Sequence, residues 1–293
     1  MIVVNEEREM PGLTLIMMLA VVGTDNPTSG GEPGRQISAT ATPATDDTRW
    51  TPLFNGHDLT GWYTFLQKHG KNADPDRVIT IEDDSIHLYK NAEDGSSVVM
   101  GYIATEKEYE NYHLRLQYRW GRKKFQPRAA LKRDAGLYYH IDGPDAVWPK
   151  ALQFQVQQSD IGDLIAQYGY QLDTWIDPAT RDDQTPTYRD PAMGGVAHVL
   201  GGKGLAYQKR LPGDFEVDGW NTIEVVARGD STEHILNGHI VNRGRNIRIV
   251  DRDKPAAPRP IARGRIAVEI EAAEISFRKI EIRSLATPRD DPK

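Results

Sequence analysis

Apolar and polar side chains alternate along much of this chain, and that period of two restricts the fold more than any other feature. In residues 113–120, HLRLQYRW, the side chains of Leu114, Leu116 and Tyr118 share one face and polar side chains take the other. Successive side chains of a β-strand point to opposite faces of its sheet. The same alternation recurs in residues 220–228, 233–242, 264–271 and 273–285. The pattern predicts a chain built from short, half-buried strands.

Turn signals separate these strands, and the strongest is Asn237-Gly238 in the segment EHILNGHIVN. A two-residue type I′ turn needs a positive φ at both central positions, which Asn and Gly tolerate. Only residues 104–110 have the character of a helical turn or two. Many short strands divided by turns predict an all-β fold, a β-sandwich of two antiparallel sheets.

The overall composition excludes several classes of function. The chain has 293 residues and a formal net charge of −6, whereas a surface that binds nucleic acid normally shows a basic excess. It has no cysteine, which excludes a disulfide framework, a thiolate metal site and a cysteine nucleophile. We therefore expect no nucleic-acid partner.

The terminal segments differ from the rest of the chain. Residues 12–23, GLTLIMMLAVVG, form an apolar run that is too short to span a bilayer but suits the core of a signal peptide, although the preceding residues are acidic. Residues 24–48 are rich in Pro, Gly, Ser and Thr. We predict a signal segment over 1–23, a flexible linker over 24–48, one domain over 49–286 and a tail over 287–293. This arrangement indicates a periplasmic or secreted protein without a membrane span; the alternative is a disordered leader.

One predicted strand carries an unusual polar face. In LQFQVQ, residues 152–157, the apolar side chains alternate with Gln153, Gln155 and Gln157. An amide both donates and accepts hydrogen bonds, as a sugar hydroxyl does. Two other predicted strands also have large polar side chains on the face away from the core, among them Arg115, Gln117 and Glu271. If the three strands share a sheet, they form one sugar-binding groove, on which Tyr138 and Trp148 would stack. The alternative is an ordinary solvated face.

Four segments in order resemble the 3-keto-disaccharide hydrolase family, a mostly exported bacterial group. They are WTPLFNGHDLTGW (50–62), DAGLYYH with GPDAVWPKALQFQVQQSDIGD (134–163), WNTIEVVARGDSTEHILNGHIVNRG (220–244) and GRIAVEIEAAEISFRKIEIRSL (264–285). The resemblance implies a concanavalin-like jelly-roll sandwich that cleaves glycosides already oxidised to a ketone at C3. A small carbohydrate would then be the substrate.

The implied chemistry suggests roles for particular side chains. A ketone at C3 acidifies the C2 proton, so the site needs a base, a donor to the enolate oxygen and an acid for the leaving group. His140 is the first candidate for base or acid, because imidazole titrates near neutral pH. Asp134, which matches the first residue of the family's Asn/Asp-Ser-Gly strand, would orient His140 or a metal, or cap a turn. Lys150 would donate to the enolate oxygen or lie on the surface.

The sequence departs from the family at one candidate position. The resemblance implies a Glu-x-Gln pair where this chain has Gln153 and Gln155. If the family's Glu is a base or a metal ligand, this protein is altered or inactive; if that Glu only contacts the sugar, Gln can replace it. The departure keeps open an alternative function, a carbohydrate-binding module without catalysis.

Two further acidic patterns are ambiguous. Asp160 and Asp163 could ligate a divalent cation such as Ca²⁺ through oxygen atoms, or cap a turn. The segment EIEAAE, residues 269–274, nearly matches the E-x-D-x-x-E strand of laminarinase-type glycosidases, which need two carboxylates on one strand face. Glu271 stands where that motif has Asp, so we favour the first resemblance.

Overall fold

The computed structural model describes residues 49–251 and 257–286. Within these ranges the chain forms short 3₁₀-helices at Pro178–Thr180 and Pro191–Met193 and twenty strands. The strands are β1 (Thr51–Pro52), β2 (Trp62–Leu66), β3 (Gly70–Lys71), β4 (Ile79–Glu82), β5 (Ser85–Leu88), β6 (Gly101–Thr105), β7 (Tyr109–Glu110), β8 (Tyr112–Lys124), β9 (Asp134–Ile141), β10 (Leu152–Gln157), β11 (Leu164–Gln167), β12 (Tyr170–Ile176), β13 (Val196–Gly201), β14 (Leu205–Gln208), β15 (Asn221–Arg228), β16 (Ser231–Leu236), β17 (His239–Ile249), β18 (Arg259–Pro260), β19 (Arg263–Ile270) and β20 (Ala273–Ser284).

The strands form two antiparallel sheets. The larger has eleven strands in the order β13-β12-β17-β16-β15-β8-β20-β5-β4, with β1 beside β20 and β18 beside β17. The smaller has nine strands in the order β14-β11-β10-β9-β19-β6-β2-β3, with β7 beside β19. This arrangement confirms the predicted all-β jelly-roll sandwich.

The core lies between the two sheets and is built by the alternation seen in the sequence. In the eleven-stranded sheet, Leu114, Leu116 and Tyr118 of β8 are fully buried in it. In the nine-stranded sheet, Leu152 and Phe154 of β10 are buried in the same cluster. Full burial of a large apolar side chain contributes about 1.5–3 kcal/mol, so these inward rows hold the sheets together.

The predicted hairpin at Asn237-Gly238 is confirmed. These residues join β16 to β17 with φ of 47° and 84°, as a type I′ turn requires. The Asn237 side chain also accepts a hydrogen bond of 2.8 Å from the backbone N–H of Thr222, which fixes the turn against β15.

Residues 104–110 do not form the helical turn that the sequence suggested. β6 continues through Thr105, and β7 at Tyr109–Glu110 pairs with β19. Because Ile103 and Ala104 of β6 pair with β19 on one side and β2 on the other, sheet hydrogen bonding overrides the local helical preference.

The predicted single groove built from three polar strands is wrong. β8, which carries Arg115 and Gln117, belongs to the eleven-stranded sheet, while the strands of the glutamines and of Glu269 belong to the other sheet. Arg115 forms an ion pair of 2.7 Å with Glu281, and Gln117 accepts a hydrogen bond of 2.9 Å from Arg278. Both polar side chains therefore stabilise the far side of the sandwich.

The predicted signal segment, linker and tail lie outside the described residues. In the part of the chain that is described, no helix has the length and apolar character needed to cross a membrane.

Candidate functional site

Carboxylates and amides cover the outer face of three neighbouring strands, β10, β9 and β19. We call this surface the carboxylate–amide face; it comprises Gln153, Gln155, Gln157, Asp134, Glu269 and Glu271. The strand register places Gln157 opposite Asp134, and Asp134 opposite Glu271. Gly136 belongs to β9, the strand between β10 and β19, and is opposite Gln155. The side chains thus meet across strands although they are distant in the sequence.

Glu269 is held by two donors on this face. It accepts a short hydrogen bond from the hydroxyl of Tyr138 and one of 2.8 Å from Nε2 of Gln153. Burial, and after it the negative charge of Glu269, raises the pKa of Tyr138 well above its usual value. The phenol therefore stays protonated and acts as a donor to the carboxylate.

Gly136 provides the space for the contact between Gln153 and Glu269. A Cβ atom at this position would lie 2.4 Å from both Nε2 of Gln153 and Oε2 of Glu269. The hydrogen bond therefore crosses over β9 at the one residue that has no side chain. This packing explains the glycine in the DAG segment that begins β9.

Asp134 is the second anchored carboxylate of the face. Its Oδ1 accepts a hydrogen bond of 2.8 Å from Gln155 and its Oδ2 accepts one of 2.7 Å from Gln157. Arg128, in the loop before β9, forms an ion pair with Asp134 and a second one of 3.3 Å with Glu271. Asp134 therefore contacts a guanidinium and amides, not His140 as the sequence suggested.

The glutamine ladder is an oriented chain of amides that links the two carboxylates. Nε2 of Gln167 donates to Oε1 of Gln153 over 2.6 Å, and Nε2 of Gln153 donates to Oε1 of Gln155 over 2.6 Å. Each amide thus presents its oxygen to the preceding donor and its nitrogen to the next acceptor. Such connected networks hold polar groups in fixed positions.

The amide at position 153, where the family resemblance implies Glu, has a geometric reason. Nε2 of Gln153 donates to both Gln155 and Glu269, and a carboxylate could donate to neither. The amide at 153 and the carboxylate at 269 therefore form a matched pair.

We expect Gln153→Glu to lower both the stability and the turnover of the protein, not to raise its turnover. The new carboxylate would face Glu269 at hydrogen-bonding distance and would remove two donors, each loss costing about 1–3 kcal/mol in a buried site. Thermal unfolding should show a lower melting temperature than that of the wild type. A variant with higher turnover and unchanged melting temperature would contradict this pairing.

A second network anchors the loop between β9 and β10 to the same face. Asp145 in this loop accepts hydrogen bonds from the hydroxyls of Tyr63 at 2.6 Å and Tyr102 at 2.7 Å, and lies 3.0 Å from Nη1 of Arg265. Partial burial raises the pKa of Asp145, but these charge-assisted bonds together outweigh it and keep the pKa below its usual value. The loop is thereby fixed beside the carboxylate–amide face.

The two predicted stacking residues differ in their surroundings. Tyr138 lies on the face but is fully buried, and its hydroxyl is engaged with Glu269. Trp148, in the anchored loop, is half-buried and packs against the core between the sheets. Tyr138 is therefore a hydrogen-bond donor of the site, not an open stacking platform.

His140 is turned away from this face, contrary to the prediction. Its φ of 53° and a register shift between Arg265 and Ala267 of the adjacent strand break the regular alternation of β9. The fully buried ring packs edge-on against Tyr112 and Tyr139, with centroid distances of 5.9 and 5.4 Å. Burial lowers its pKa to about 4. This geometry does not fit a group that takes a proton from a substrate on the outer face.

Lys150 and the predicted calcium ligands also lie elsewhere. Nζ of Lys150 is 3.7 Å from a carboxylate oxygen of Asp142. Asp160 pairs with Lys132, whereas Asp163 accepts a hydrogen bond of 2.7 Å from the backbone N–H of Arg210. The two aspartates thus have separate partners, which favours the turn alternative. Among the described residues, no group of three or more His, Asp or Glu has an arrangement that could hold a metal ion.

The laminarinase-like alternative is also contradicted. Glu269 belongs to β19, but Glu274 belongs to β20 in the other sheet, where it accepts hydrogen bonds from the backbone N–H groups of Arg122 and Lys123. Glu269 and Glu274 therefore do not share one strand face.

Sequence reasoning missed Arg128 and Gln167 as members of the site. Gln167 ends β11, and Ile165, two residues before it, is opposite Gln153, so a correct strand pairing would have placed Gln167 on the same face. Arg128 lies in the loop before β9, and no periodic signal marks it.

Solved structures resemble this chain only distantly. A protein of Parabacteroides distasonis ATCC 8503, provisionally described as a glycosyl hydrolase, is 20% identical with a TM-score of 0.48, covering 80% of this chain and 94% of its own. The β-glucanase of Bacillus licheniformis is 9% identical with a TM-score of 0.42, covering 84% and 99%. The carbohydrate-binding module CBM66 of Bacillus subtilis is 13% identical with a TM-score of 0.38, covering 76% and 96%.

No curated protein sequence matches the chain. A family model, in contrast, matches residues 49–283, which contain all six residues of the carboxylate–amide face. The chain belongs to the family of 3-keto-alpha-glucoside-1,2-lyase-like domains.

Proposed function

We propose that this protein cleaves 3-keto-glycosides by removing the C2 proton and eliminating the substituent at C1. The observation that carries the proposal is the buried Glu269 carboxylate, which Tyr138 and Gln153 hold on the outer face of the nine-stranded sheet. The family match supports the substrate class, and Glu269 would serve as the base, with the Tyr138 hydroxyl beside it.

In the proposed reaction, Glu269 takes the C2 proton of the 3-keto sugar. The electron pair of the C–H bond forms a C2=C3 double bond, and the carbonyl oxygen becomes an enolate. The enolate then re-forms the ketone, a C1=C2 double bond appears, and the bond between C1 and the leaving oxygen breaks. Addition of water to C1 would give the hydrolysed sugar.

Glu269 also completes the proton balance. The protonated Glu269 donates its proton to the leaving oxygen, while the buried Tyr138 hydroxyl keeps its own proton and holds Glu269 in place. The proton taken from C2 thus reaches the leaving group, and the carboxylate is restored. Arg128 is paired with Asp134 and Glu271, so its charge would offset theirs where the enolate forms.

The amides would position the sugar. Gln155 and Gln157 are fixed by Asp134 at one end of the face, where their remaining lone pairs and protons match sugar hydroxyls. We also propose that the reaction takes place in the periplasm or outside the cell, because residues 12–23 suit the core of a signal peptide.

Incubation with defined sugars tests this function. We expect the protein to consume 3-keto-trehalose or a 3-keto-glucoside and to leave the unoxidised sugars intact, as followed by chromatography. A parallel reaction with a chelator tests whether a divalent cation such as Ca²⁺ contributes. Cleavage of the unoxidised sugars at an equal rate would overturn the proposal.

One observation favours the alternative, a carbohydrate-binding module. The amide at position 153 removes a carboxylate that the family resemblance implies, which would lower basicity at the site. In that case the protein would bind 3-keto-glucosides in calorimetry and leave them unchanged over long incubation.

A further inference from the structure

We propose that a pocket beside Trp120, separate from the carboxylate–amide face, binds a sugar acid through its carboxylate. The pocket has a volume of about 460 Å³, and Trp120, Arg133, Arg210, Asp214, Glu216 and Asp218 line it. Small-ligand sites typically enclose about 300–1,000 Å³, so a monosaccharide derivative fits. We call this cavity the Trp120 pocket.

Two guanidinium groups in the Trp120 pocket have donors left for a ligand. Nε and Nη1 of Arg133 donate to Gln158 over 3.2 Å and to the backbone oxygen of Gly121 over 2.8 Å, which leaves Nη2 for a ligand. Nη1 and Nη2 of Arg210 donate to the backbone oxygens of Leu211 over 2.8 Å and Ser159 over 3.4 Å. The Nε atom of Arg210 is buried and has no hydrogen-bond partner within the described residues. A buried donor without a partner costs about 1–3 kcal/mol, which a carboxylate ligand would offset.

One lining carboxylate, Glu216, is already committed to other donors. Oε1 of Glu216 accepts hydrogen bonds from the hydroxyl of Tyr118 at 3.2 Å and the indole N–H of Trp120 at 2.9 Å. Its Oε2 accepts one of 3.2 Å from the backbone N–H of Ser159. Neither Arg133 nor Arg210 forms an ion pair with any carboxylate in the described ranges. Glu216 therefore shapes the pocket without saturating the arginines.

The remaining lining residues favour a ligand that has hydroxyl groups and a single negative charge. Asp214 and Asp218 are exposed carboxylates that can accept hydrogen bonds from hydroxyl groups. The ring of Trp120, over which Arg133 lies at 5.3 Å, offers an apolar surface to a pyranose. Three carboxylates on the lining would repel a phosphate dianion more strongly than a carboxylate monoanion. A sugar acid has all three matching groups, namely one carboxylate, several hydroxyl groups and a pyranose ring.

The Trp120 pocket has its own set of side chains. Arg133 precedes Asp134, and Gln158 follows Gln157, so the two sites adjoin at the ends of β9 and β10. However, Trp120 belongs to β8 of the eleven-stranded sheet, and Glu216 lies in the segment before β15. The inference therefore does not depend on the chemistry proposed for Glu269.

Isothermal titration with D-glucuronate, D-glucose and inorganic phosphate tests the proposal. We expect D-glucuronate to bind and the other two to bind at least about tenfold more weakly. Arg210→Gln and Arg133→Gln should each weaken D-glucuronate binding by about tenfold or more, since each removes a charge-assisted hydrogen bond.

The matched control is Arg245→Gln, which removes an exposed guanidinium that lies 5.0 Å over the ring of Trp175 on β12. D-Glucuronate binding should be unchanged in this variant and in Glu269→Gln. Melting temperatures of all variants identify any loss of fold, and the two arginine variants provide independent tests. Equal binding of D-glucose or phosphate, no binding of D-glucuronate, or an equal loss in Arg245→Gln would overturn the proposal.

Discussion

Glu269→Gln is expected to lower turnover of a 3-keto-glucoside by about a hundredfold or more, the scale of a lost general base. The amide has nearly the same volume as the carboxylate but cannot take the C2 proton. Glu269 accepts from both Tyr138 and Gln153, and an amide can accept from only one of its two ends. We therefore also expect a modest loss of stability, about 1–3 kcal/mol.

Glu281→Gln is the matched control for this experiment. Glu281 is also an outward-facing carboxylate of a strand and forms an ion pair of 2.7 Å with Arg115, but it lies on the eleven-stranded sheet. The turnover of the Glu281→Gln variant should stay close to that of the wild type. Retention of most activity in Glu269→Gln, measured on protein with a normal circular dichroism spectrum, would place the base elsewhere.

Lowering the pH from about 6.5 to 4 is expected to destabilise the fold through its buried histidines. Burial lowers the pKa of His140 to about 4 and that of His234 to about 3. The unfolded chain binds these protons near the ordinary value of 6.5, whereas the native protein does not. The stability from neutral His140 is thus complete above pH 6.5 and is lost as pH falls toward 4, by about 3 kcal/mol.

Denaturant titrations at several pH values measure this effect. His140→Leu should lose about 3 kcal/mol less than the wild type between pH 6.5 and pH 4, because the variant has no imidazole to protonate. Asp163 acts in the opposite direction, because burial raises its pKa to about 7. As pH falls, the native state therefore binds this proton before the unfolded chain does, which raises the free energy of unfolding. Asp163→Asn should accordingly steepen the acid destabilisation. The same pH dependence in His140→Leu and in the wild type would contradict the assignment to His140.

The period-two pattern predicted which side chains share a face, because the geometry of a strand dictates it. Leu114 and Leu116 are buried and Arg115 is not, and Gln153 and Gln155 do lie side by side on one face. The Asn237-Gly238 turn was equally predictable, since few residue pairs accept its backbone angles.

The pattern could not predict which sheet each strand joins. Gln117 and Gln153 alternate with apolar residues in the same way, yet strand pairing puts them on opposite sides of the sandwich. The orientation of His140 depends on a register shift and a positive φ, which have no periodic signature. The contact between Gln153 and Glu269 joins residues 116 positions apart, and only the pairing of β9 with both neighbours brings them together.

The central claim is that Glu269 removes the C2 proton of a 3-keto sugar, and proton NMR in D₂O tests it most directly. The account predicts that the C2 proton signal of a 3-keto-glucoside disappears as the glycosidic bond is cleaved, and that the Glu269→Gln variant slows both losses together. Cleavage that leaves the C2 proton in the released sugar would contradict elimination and the role of Glu269.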